Sequence, residues 1–226
     1  MAMKRVNVQG HTLNKRTADM LNRAEQMLGH DLDIMQGSYN STVGASAGTH
    51  DGGGAVDVAA TSNPAKVVLA LRKVGFAAWH RLPSQGPWPE HIHAIAIGDG
   101  ELSSGAKLQV QEYYAGQNGL ANHGPDDGPR LHPIPTWPIA LPRLSLQRAI
   151  NQFTAKKPRS APATKKIQTA LNYRLSHNLV VDGVAGPKTR AAYKWWEKHI
   201  DSPTQDGVPG EASLKKLVAG HYRVVK

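Results

Sequence analysis

Proline residues are concentrated in the middle of this chain and separate its two halves. Six of them stand between positions 125 and 142 of the 226 residues. Proline fixes φ and has no backbone N–H, so the segment suits neither a helix interior nor a central strand. We therefore predict two folded parts and an extended linker, with boundaries at residues 1–125, 126–157 and 158–226. An amphipathic piece at residues 144–153 is compatible with either part.

The basic residues are concentrated in the second part. Residues 1–155 hold 13 Lys and Arg against 12 Asp and Glu, whereas residues 156–226 hold 14 against 5. An excess of this size indicates an anionic polymer as partner, such as an acidic cell wall, a nucleic acid or a membrane surface. The ordinary alternative is a well-solvated helical face.

Composition excludes several classes of protein. The chain has no cysteine, which rules out disulfides, thiolate metal sites and a cysteine nucleophile. Its longest uninterrupted apolar runs span about five residues, against the ~20 that cross a bilayer. We therefore expect no membrane span. The basic start of the chain has no apolar core behind it, so a secretory signal is not expected.

Helical and strand patterns alternate in the first part, which predicts an α+β domain with a small antiparallel sheet and flanking helices. Apolar residues recur at the helical period over residues 17–28 and 64–74, and a glycine follows each stretch. Strands are predicted at residues 31–35, 55–59, 76–79 and 91–97.

Two segments of the first part carry candidate metal ligands. His50 precedes Asp57 by seven residues across a glycine run, which allows the imidazole to fold back onto the next strand. His91 and His93 lie two residues apart in a predicted strand, so both point to one face. Two imidazoles and one carboxylate leave the fourth position of a zinc ion open to water, as a hydrolytic site requires.

Glu90 is the available general base, because it lies just ahead of this strand between prolines and histidines. Each of these sequence features also has a purely structural explanation. Paired histidines are common on surface strands, and glycine runs are common in turns. With 11 histidines in the chain, chance pairings are easy. The combination of ligands and base is what indicates metal-assisted hydrolysis.

Over roughly residues 10–120, these segments resemble the D-alanyl-D-alanine carboxypeptidase and L-alanyl-D-glutamate peptidase family of zinc peptidases. The resemblance is carried by Ser46-Ala47-Gly48-Thr49-His50 with Asp57, by Gly75-Phe76-Ala77-Ala78-Trp79, and by Glu90-His91-Ile92-His93. That family acts on cell-wall peptides and includes phage endolysins. The resemblance implies that His50, Asp57 and His93 bind zinc and that Glu90 is the base.

The chain departs from the family pattern in two places. The serine before the first histidine is displaced, since Ser46 lies four residues ahead of His50. The arginine that the family often carries after a Gly-Tyr turn is missing, because Asn40 follows Tyr39. Candidate substrate-binding residues are therefore Gln36, Tyr39, Ser46, His80, Arg81 and His91. His91 also stays open as a metal ligand.

The second part resembles the three-helix peptidoglycan-binding domain, which implies a small all-α fold. A Gln168-Thr169-Ala170-Leu171-Asn172 helix and an Asp182-Gly183 loop carry this resemblance, and a weaker copy of the loop lies at residues 205–214. The adjacent Trp195 and Trp196 diverge by about 100° on a helix, so one of them must point away from the core. Both are candidate wall-binding residues.

Together, the two resemblances imply a zinc-dependent peptidase that cleaves peptide bonds of bacterial peptidoglycan, as a phage endolysin does. Such a protein is expected to be a monomer, made in the host cytoplasm without a signal peptide and acting on the wall after release. Its basic part would attract anionic wall polymers. The alternative is a non-catalytic zinc-containing protein that binds the wall. No nucleic-acid partner is expected, because few aromatic residues alternate with the basic ones.

Overall fold

The computed structural model describes residues 2–226, which form two compact units. The first unit extends to Ile139, and the second covers Ala140–Lys226. Helices, small antiparallel sheets and one pair of parallel strands make up the fold, so the predicted α+β class is confirmed. Among the described residues, no helix combines the length and the apolar character needed to span a bilayer.

Six strands of the first unit form two antiparallel sheets. A hairpin pairs β1 (Arg5–Val8) with β2 (His11–Asn14). The larger sheet has the strand order β3-β4-β6-β5. Its members are β3 (Ile34–Gln36), β4 (Ala55–Ala59), β5 (Phe76–Arg81) and β6 (His91–Ala96).

Three helices accompany this sheet, namely α1 (Lys15–Leu28), α2 (Pro64–Lys73) and α3 (Ser104–Ala115). A capping side chain precedes each of them and accepts a backbone N–H of the first turn. These caps satisfy donors that a helix cannot pair internally. The 3-10 turns Gly44–Ser46 and Pro83–Gln85 lie in the loops.

The four-stranded sheet has two different faces, because successive side chains of a strand point to opposite sides. On one face, Val56, Ile92 and Ala94 pack with apolar residues of α1 and α2 in the main core. On the other face, Trp79 and Ile95 belong to a smaller core with residues of α3. Asp57 and His93 also belong to this second face.

Several predicted elements agree closely with the structure. Strand β4 has its predicted bounds, and α2 and β6 each end one residue earlier than predicted. The hairpin of β1 and β2 and the helix α3 were not predicted. Helix α3 has an exposed Leu108 and few buried positions, so its apolar period is weak.

The proline-rich segment begins as part of the first unit rather than as a free linker. The buried carboxylate of Asp126 lies 2.7 Å from Nη2 of Arg72, which is fully buried at the end of α2. Arg72 also donates to the carbonyl oxygen of Pro129, and Trp137 packs against the main core. The first unit thus extends beyond its predicted end at residue 125.

The second unit contains four helices and a pair of parallel strands. Its elements are β7 (Arg143–Ser145), α4 (Leu146–Thr154), α5 (Pro162–Leu175), α6 (Pro187–His199), α7 (Glu211–Leu217) and β8 (Arg223–Val225). Phe153 of α4 is fully buried in the core of this unit. The segment 144–153, which fell in the predicted linker and was left open to either part, therefore belongs here and adds a helix to the three that were expected. The strands β7 and β8 depart from the all-α fold predicted for this part.

A tight turn around Gly183 connects α5 to α6. Gly183 has a φ of 85°, a conformation that glycine adopts without strain. Its N–H donates to Oε1 of Gln168 over 2.8 Å, and Oδ1 of Asp182 accepts the N–H of Val184 over 2.8 Å. A side chain of α5 thereby holds the loop that precedes α6.

The weaker copy of this loop has the same geometry. Gly207 has a φ of 78° and donates to Oε2 of Glu197 over 2.8 Å. Oδ1 of Asp206 accepts the N–H of Val208, again over 2.8 Å. Helix α7 begins four residues after Gly207, as α6 begins four residues after its own turn glycine. The repeat seen in the sequence is therefore a structural repeat.

Candidate metal centre

The strand register places the candidate ligands side by side across the sheet. Asp57 of β4 pairs with His93 of β6, and His93 pairs in turn with Trp79 of β5. On the other side, Asp57 pairs with Gln36 of β3. Since paired residues point to the same face, these four side chains form a row above the sheet.

His50 joins this row from the loop between β3 and β4. The loop packs closely at Gly54, which has a φ of 85°. A Cβ at that position would lie 2.5 Å from the side chain of Leu102. No other residue type would fit without displacing its neighbours. The His50 ring lies within reach of Asp57 and His93 and is fully buried.

The three predicted ligands converge on one point. Nδ1 of His93 lies 2.6 Å from Oδ1 of Asp57, and Nε2 of His50 lies 3.3 Å from the same oxygen. The two ring nitrogens are 3.4 Å apart. One ligand atom from each residue falls within 4.8 Å of the others, and all three residues are buried. The group can therefore hold a metal ion, as predicted.

Hydrogen bonds behind the ligands fix the tautomer of each imidazole. Nδ1 of His50 lies 2.9 Å from the carbonyl oxygen of Gly37, and Nε2 of His93 lies 2.9 Å from Oε1 of Gln109. Both oxygens are acceptors, so these nitrogens carry the protons. The opposite ring nitrogens face Asp57 and share protons with its carboxylate, and they can bind a metal ion once those protons are released.

Electrostatics keeps the carboxylate of the group ionised. Burial by itself would raise the pKa of Asp57, but the adjacent His93 and His50 outweigh it and hold that pKa far below its ordinary range. Burial lowers the pKa of His93 despite its contact with Asp57. For His50, burial acts in the same direction, but hydrogen bonding to Asp57 prevails and the pKa is raised. The site thus offers a carboxylate and a neutral His93.

A cavity of about 500 Å³ opens over the ligands. All three of them line it, and apolar side chains such as Val43, Trp88 and Leu120 form much of its wall. Cavities of this size accommodate small organic molecules or short peptide segments. A metal ion held here would therefore face space that a substrate can enter.

Four of the predicted substrate-binding residues line this cavity, namely Gln36, Ser46, Arg81 and His91. The Ser46 hydroxyl donates to Oε1 of Gln36 over 3.0 Å. His91 is held by the carbonyl oxygen of Pro89, 2.7 Å from its Nδ1. Its Nε2 lies 3.9 Å from Oδ2 of Asp57, so His91 stands beside the three ligands.

Glu90 and His80 are not brought to the cavity. Oε1 of Glu90 lies 2.7 Å from Nε2 of His80, and the Glu90 side chain is half exposed. In the register of the sheet, His80 pairs with Ile92, which belongs to the core on the opposite face. Glu90 directly precedes β6, and its contact with His80 holds its side chain away from the ligands.

Tyr39 also lies apart from the cavity lining. Its hydroxyl donates to Oε2 of Glu101, and the guanidinium of Arg5 lies 4.0 Å from its ring centroid. These contacts hold the turn after β3 in place. The neighbouring Asn40 lines the cavity instead.

Sequence reasoning missed Gln109 of α3 and the loop that follows this helix. Gln109 lines the cavity, contacts His93 and donates from Nε2 to the carbonyl oxygen of Gly119 over 2.8 Å. The available signals were Ser103, a capping residue, and Gly116, a stop for the helix. They would have located α3, although not the contact between Gln109 and His93.

In the second unit, the two adjacent tryptophans diverge as expected. Trp196 is buried and donates from Nε1 to the carbonyl oxygen of Ser213. Trp195 is 49% exposed and stacks on His199, with ring centroids 5.2 Å apart. The ring of His177 also contacts Trp195, in an edge-on arrangement with ring centroids 5.7 Å apart. Trp195 is therefore the tryptophan of this pair that a surface partner can reach.

Comparison of the chain with protein-family models, with curated proteins and with solved structures finds no significant match.

Proposed function

We propose that the chain is a zinc-dependent peptidase that cleaves peptide bonds of bacterial peptidoglycan. One observation carries the proposal. His50, Asp57 and His93 present three ligand atoms within 4.8 Å of one another at the base of a cavity of about 500 Å³. Three protein ligands facing open space are the arrangement found in catalytic rather than structural zinc sites.

The donor set favours zinc. Two neutral imidazole nitrogens and one carboxylate oxygen are ligands that zinc accepts in hydrolytic enzymes. Bound zinc supplies a Lewis acid and lowers the pKa of water to near neutrality. Gly37 and Gln109 orient the two imidazoles. Among the residues that line the cavity, Trp88 and Leu120 form an apolar surface that excludes bulk water, and Arg81 brings a positive charge.

A general base must accept the proton of the attacking water. The two candidates, Glu90 and His91, lie at the start of β6. Glu90 is the base predicted from the sequence, and in this role its side chain would turn from His80 toward the cavity. The geometry favours His91, which lines the cavity and is oriented by Pro89. Its Nε2, 3.9 Å from Asp57, carries the lone pair because Nδ1 donates to the Pro89 carbonyl.

In this proposal the second unit keeps the enzyme at the wall. It holds 16 Lys and Arg against 5 Asp and Glu between positions 140 and 226, which favours anionic wall polymers at low salt. The exposed Trp195 offers an aromatic surface for wall saccharides or peptides. Attachment raises the effective concentration of the substrate around the catalytic unit. Release of a phage from its host is the setting that this combination suits.

The test is to incubate the zinc-loaded protein with purified peptidoglycan and to identify soluble fragments by mass spectrometry. We expect new peptide termini, their loss on chelation and their return on addition of zinc. Asp57→Asn should lose both the bound zinc and the fragments. Asp33→Asn, an exposed aspartate at the start of β3, is the matched control and should retain both. Fragment release that survives complete removal of metal would contradict the proposal.

A second candidate function is supported by the orientation of Glu90 away from the cavity. In this version the protein binds zinc and wall peptides without cutting them. It predicts one zinc per chain and sedimentation of the protein with peptidoglycan, but no new peptide termini. The same mass-spectrometric experiment therefore separates the two candidates.

A further inference from the structure

The loop that precedes α7 repeats the loop that precedes α6 residue by residue. Asp182-Gly183-Val184 of the first loop corresponds to Asp206-Gly207-Val208 of the second. Thr189 of α6 and Ser213 of α7 lie at the same distance in sequence after the two turn glycines, and each carries a hydroxyl. In both loops, the glycine N–H donates over 2.8 Å to a side chain of the preceding helix.

The side chain that accepts the glycine N–H differs between the two loops. In the first loop it is Gln168 of α5, and in the second it is Glu197 of α6. Nε2 of Gln168 also donates to three acceptors of its loop and helix, at distances of 2.8, 3.2 and 3.1 Å. These acceptors are Oδ1 of Asp182, the carbonyl oxygen of Val184 and the hydroxyl of Thr189. In Glu197, the atom that corresponds to this donor is the carboxyl oxygen Oε1.

Glu197 is fully buried and has no cationic partner. It has no accessible surface, and none of the ion pairs among residues 2–226 includes it. Its Oε1 has no hydrogen-bond partner among the same residues. A buried carboxylate without a counter-charge is costly, and such a group normally takes up a proton instead. A neutral carboxyl has an O–H donor, which the carboxylate lacks.

The groups that face Glu197 supply no positive charge. Burial raises the pKa of its carboxyl; the Gly207 N–H opposes this effect, and the negative charge of Asp206 adds to it. On its own helix the nearest titratable group is Tyr193, which burial keeps neutral by raising its pKa. From α7 the uncharged Ser213 faces the carboxyl, and its hydroxyl lies 3.0 Å from that of Tyr193. These surroundings favour the protonated carboxyl.

From this repeat we propose that the Glu197 carboxyl is protonated in the folded protein and that its O–H donates to the loop before α7, as the Gln168 amide donates to the loop before α6. The repeat indicates Oδ1 of Asp206 as the acceptor, because Oδ1 of Asp182 is the acceptor closest to Nε2 of Gln168. The proton then holds the loop against α6, and the loop loosens as the carboxyl ionises. This inference concerns the second unit alone and does not depend on the proposed function.

A protonated Glu197 makes the loop depend on pH in a defined direction. A carboxyl whose pKa is higher in the folded than in the open loop stabilises the loop fully below the open value, about 4.3. This stabilisation is lost as pH rises through the folded value. After correction for the intrinsic exchange rate, the Gly207 amide should therefore lose protection from hydrogen exchange by about tenfold per pH unit across this window. Above the folded value, its protection should stay constant.

The test is residue-resolved hydrogen exchange of the full-length protein between about pH 4 and pH 8, with three variants. Glu197→Gln carries a permanent donor, so the Gly207 amide should keep its protection across the whole range. Gln168→Glu is the reciprocal exchange, and it should give the Gly183 amide the pH dependence that Gly207 shows in the unaltered protein. Asp201→Asn removes an exposed carboxylate from the same connection between α6 and α7. This matched control should leave the Gly207 profile unchanged.

A second measurement needs no variant. The carboxyl carbon of Glu197, assigned by NMR through its own backbone in the labelled full-length protein, should titrate above the ordinary glutamate value of about 4.3. Titration at or below that value would overturn the inference, as would Gly207 protection that stays constant across the window. A folded Glu197→Gln variant with less Gly207 protection at neutral pH than the unaltered protein would also overturn it, because the loop would then need the ionised carboxylate.

Discussion

Two buried glutamines, one in each unit, differ in how completely their side-chain amides are hydrogen-bonded. Gln168 of α5 uses both ends of its amide. Its Nε2 lies 2.8 Å from Oδ1 of Asp182 and 3.1 Å from the Thr189 hydroxyl, while its Oε1 accepts the N–H of Gly183. Gln36 of β3 lines the cavity and uses only its oxygen, and its buried Nε2 has no partner among the described residues.

This difference separates a structural polar residue from a ligand-binding one. The amide of Gln168 is saturated by its own fold, so its substitution should cost stability. The spare donor of Gln36 contributes nothing to the folded state until an acceptor arrives, so its substitution should cost binding. The same distinction can be tested at other polar groups around the candidate metal centre.

The largest effect is expected at the start of β6. Under the proposed peptidase function, His91→Gln should lower kcat on wall peptides by about 10²- to 10⁴-fold, the usual loss on removing a general base. Glu90→Gln should lower kcat less than tenfold, because its side chain contacts His80 outside the cavity. Zinc content measured on both variants shows whether the ligands are intact. The reverse order of effects would restore Glu90 as the base.

The comparison of the two glutamines is tested directly by truncating each amide. Gln168→Leu should lower the free energy of unfolding by about 2–3 kcal/mol, since it leaves the Gly183 N–H and other groups of the loop unpaired. Gln36→Leu should stay within about 1 kcal/mol of the unaltered protein. Amide hydrogen exchange resolved by residue would place the first effect in α5 and α6. Similar losses for both variants would refute the distinction.

A smaller effect is expected for Gln109, which positions His93 without touching the metal. Gln109→Leu should weaken zinc binding by about 10- to 100-fold, as loss of an outer-shell partner commonly does. Gln109→Glu keeps an acceptor for the Nε2–H of His93 and should bind zinc nearly as well as the unaltered protein. Gln111→Leu, on an exposed position of the same helix, is the control. Unchanged zinc affinity in Gln109→Leu would remove Gln109 from the site.

The smallest effect concerns pH and the loop that Gln168 supports. Hydrogen bonds from Gln168 and from the N–H of Val184 hold the pKa of Asp182 below its ordinary value. A lowered pKa in the folded state stabilises the protein above the unfolded value, about 3.9, and this stabilisation is lost as pH falls through the folded value. Protection of the Gly183 amide should therefore decline below about pH 4. Asp182→Asn should abolish this decline.

Sequence patterns predicted the local parts of the site better than its assembly. The bounds of β4 followed from its apolar residues, and the ligand set of His50, Asp57 and His93 followed from the family resemblance. Whether the three meet depends on the pairing of Asp57 with His93, residues 36 positions apart. No local pattern specifies that pairing, because it is selected by the packing of the whole sheet.

The position of Glu90 could not be predicted from strand geometry, because Glu90 precedes β6 and side-chain alternation applies only within the strand. The family resemblance implied a place beside the ligands, whereas the side chain contacts His80. The role of Gln109 could not be predicted from the sequence for a different reason. Its helix has a weak apolar period, and its contact with His93 joins residues far apart in the chain.

The alternation of side chains along β6 couples the candidate ligands to the hydrophobic core, and this coupling limits the changes in length that the strand can accept. His91 and His93 project over one face, while Ile92 and Ala94 fill the core beneath the other. A slip of one residue in this pairing would exchange the two sets, burying imidazoles among aliphatic side chains and exposing isoleucine to water. We therefore expect a one-residue insertion or deletion within this strand to disrupt both the core and the candidate ligands, whereas the surrounding loops should accept such changes.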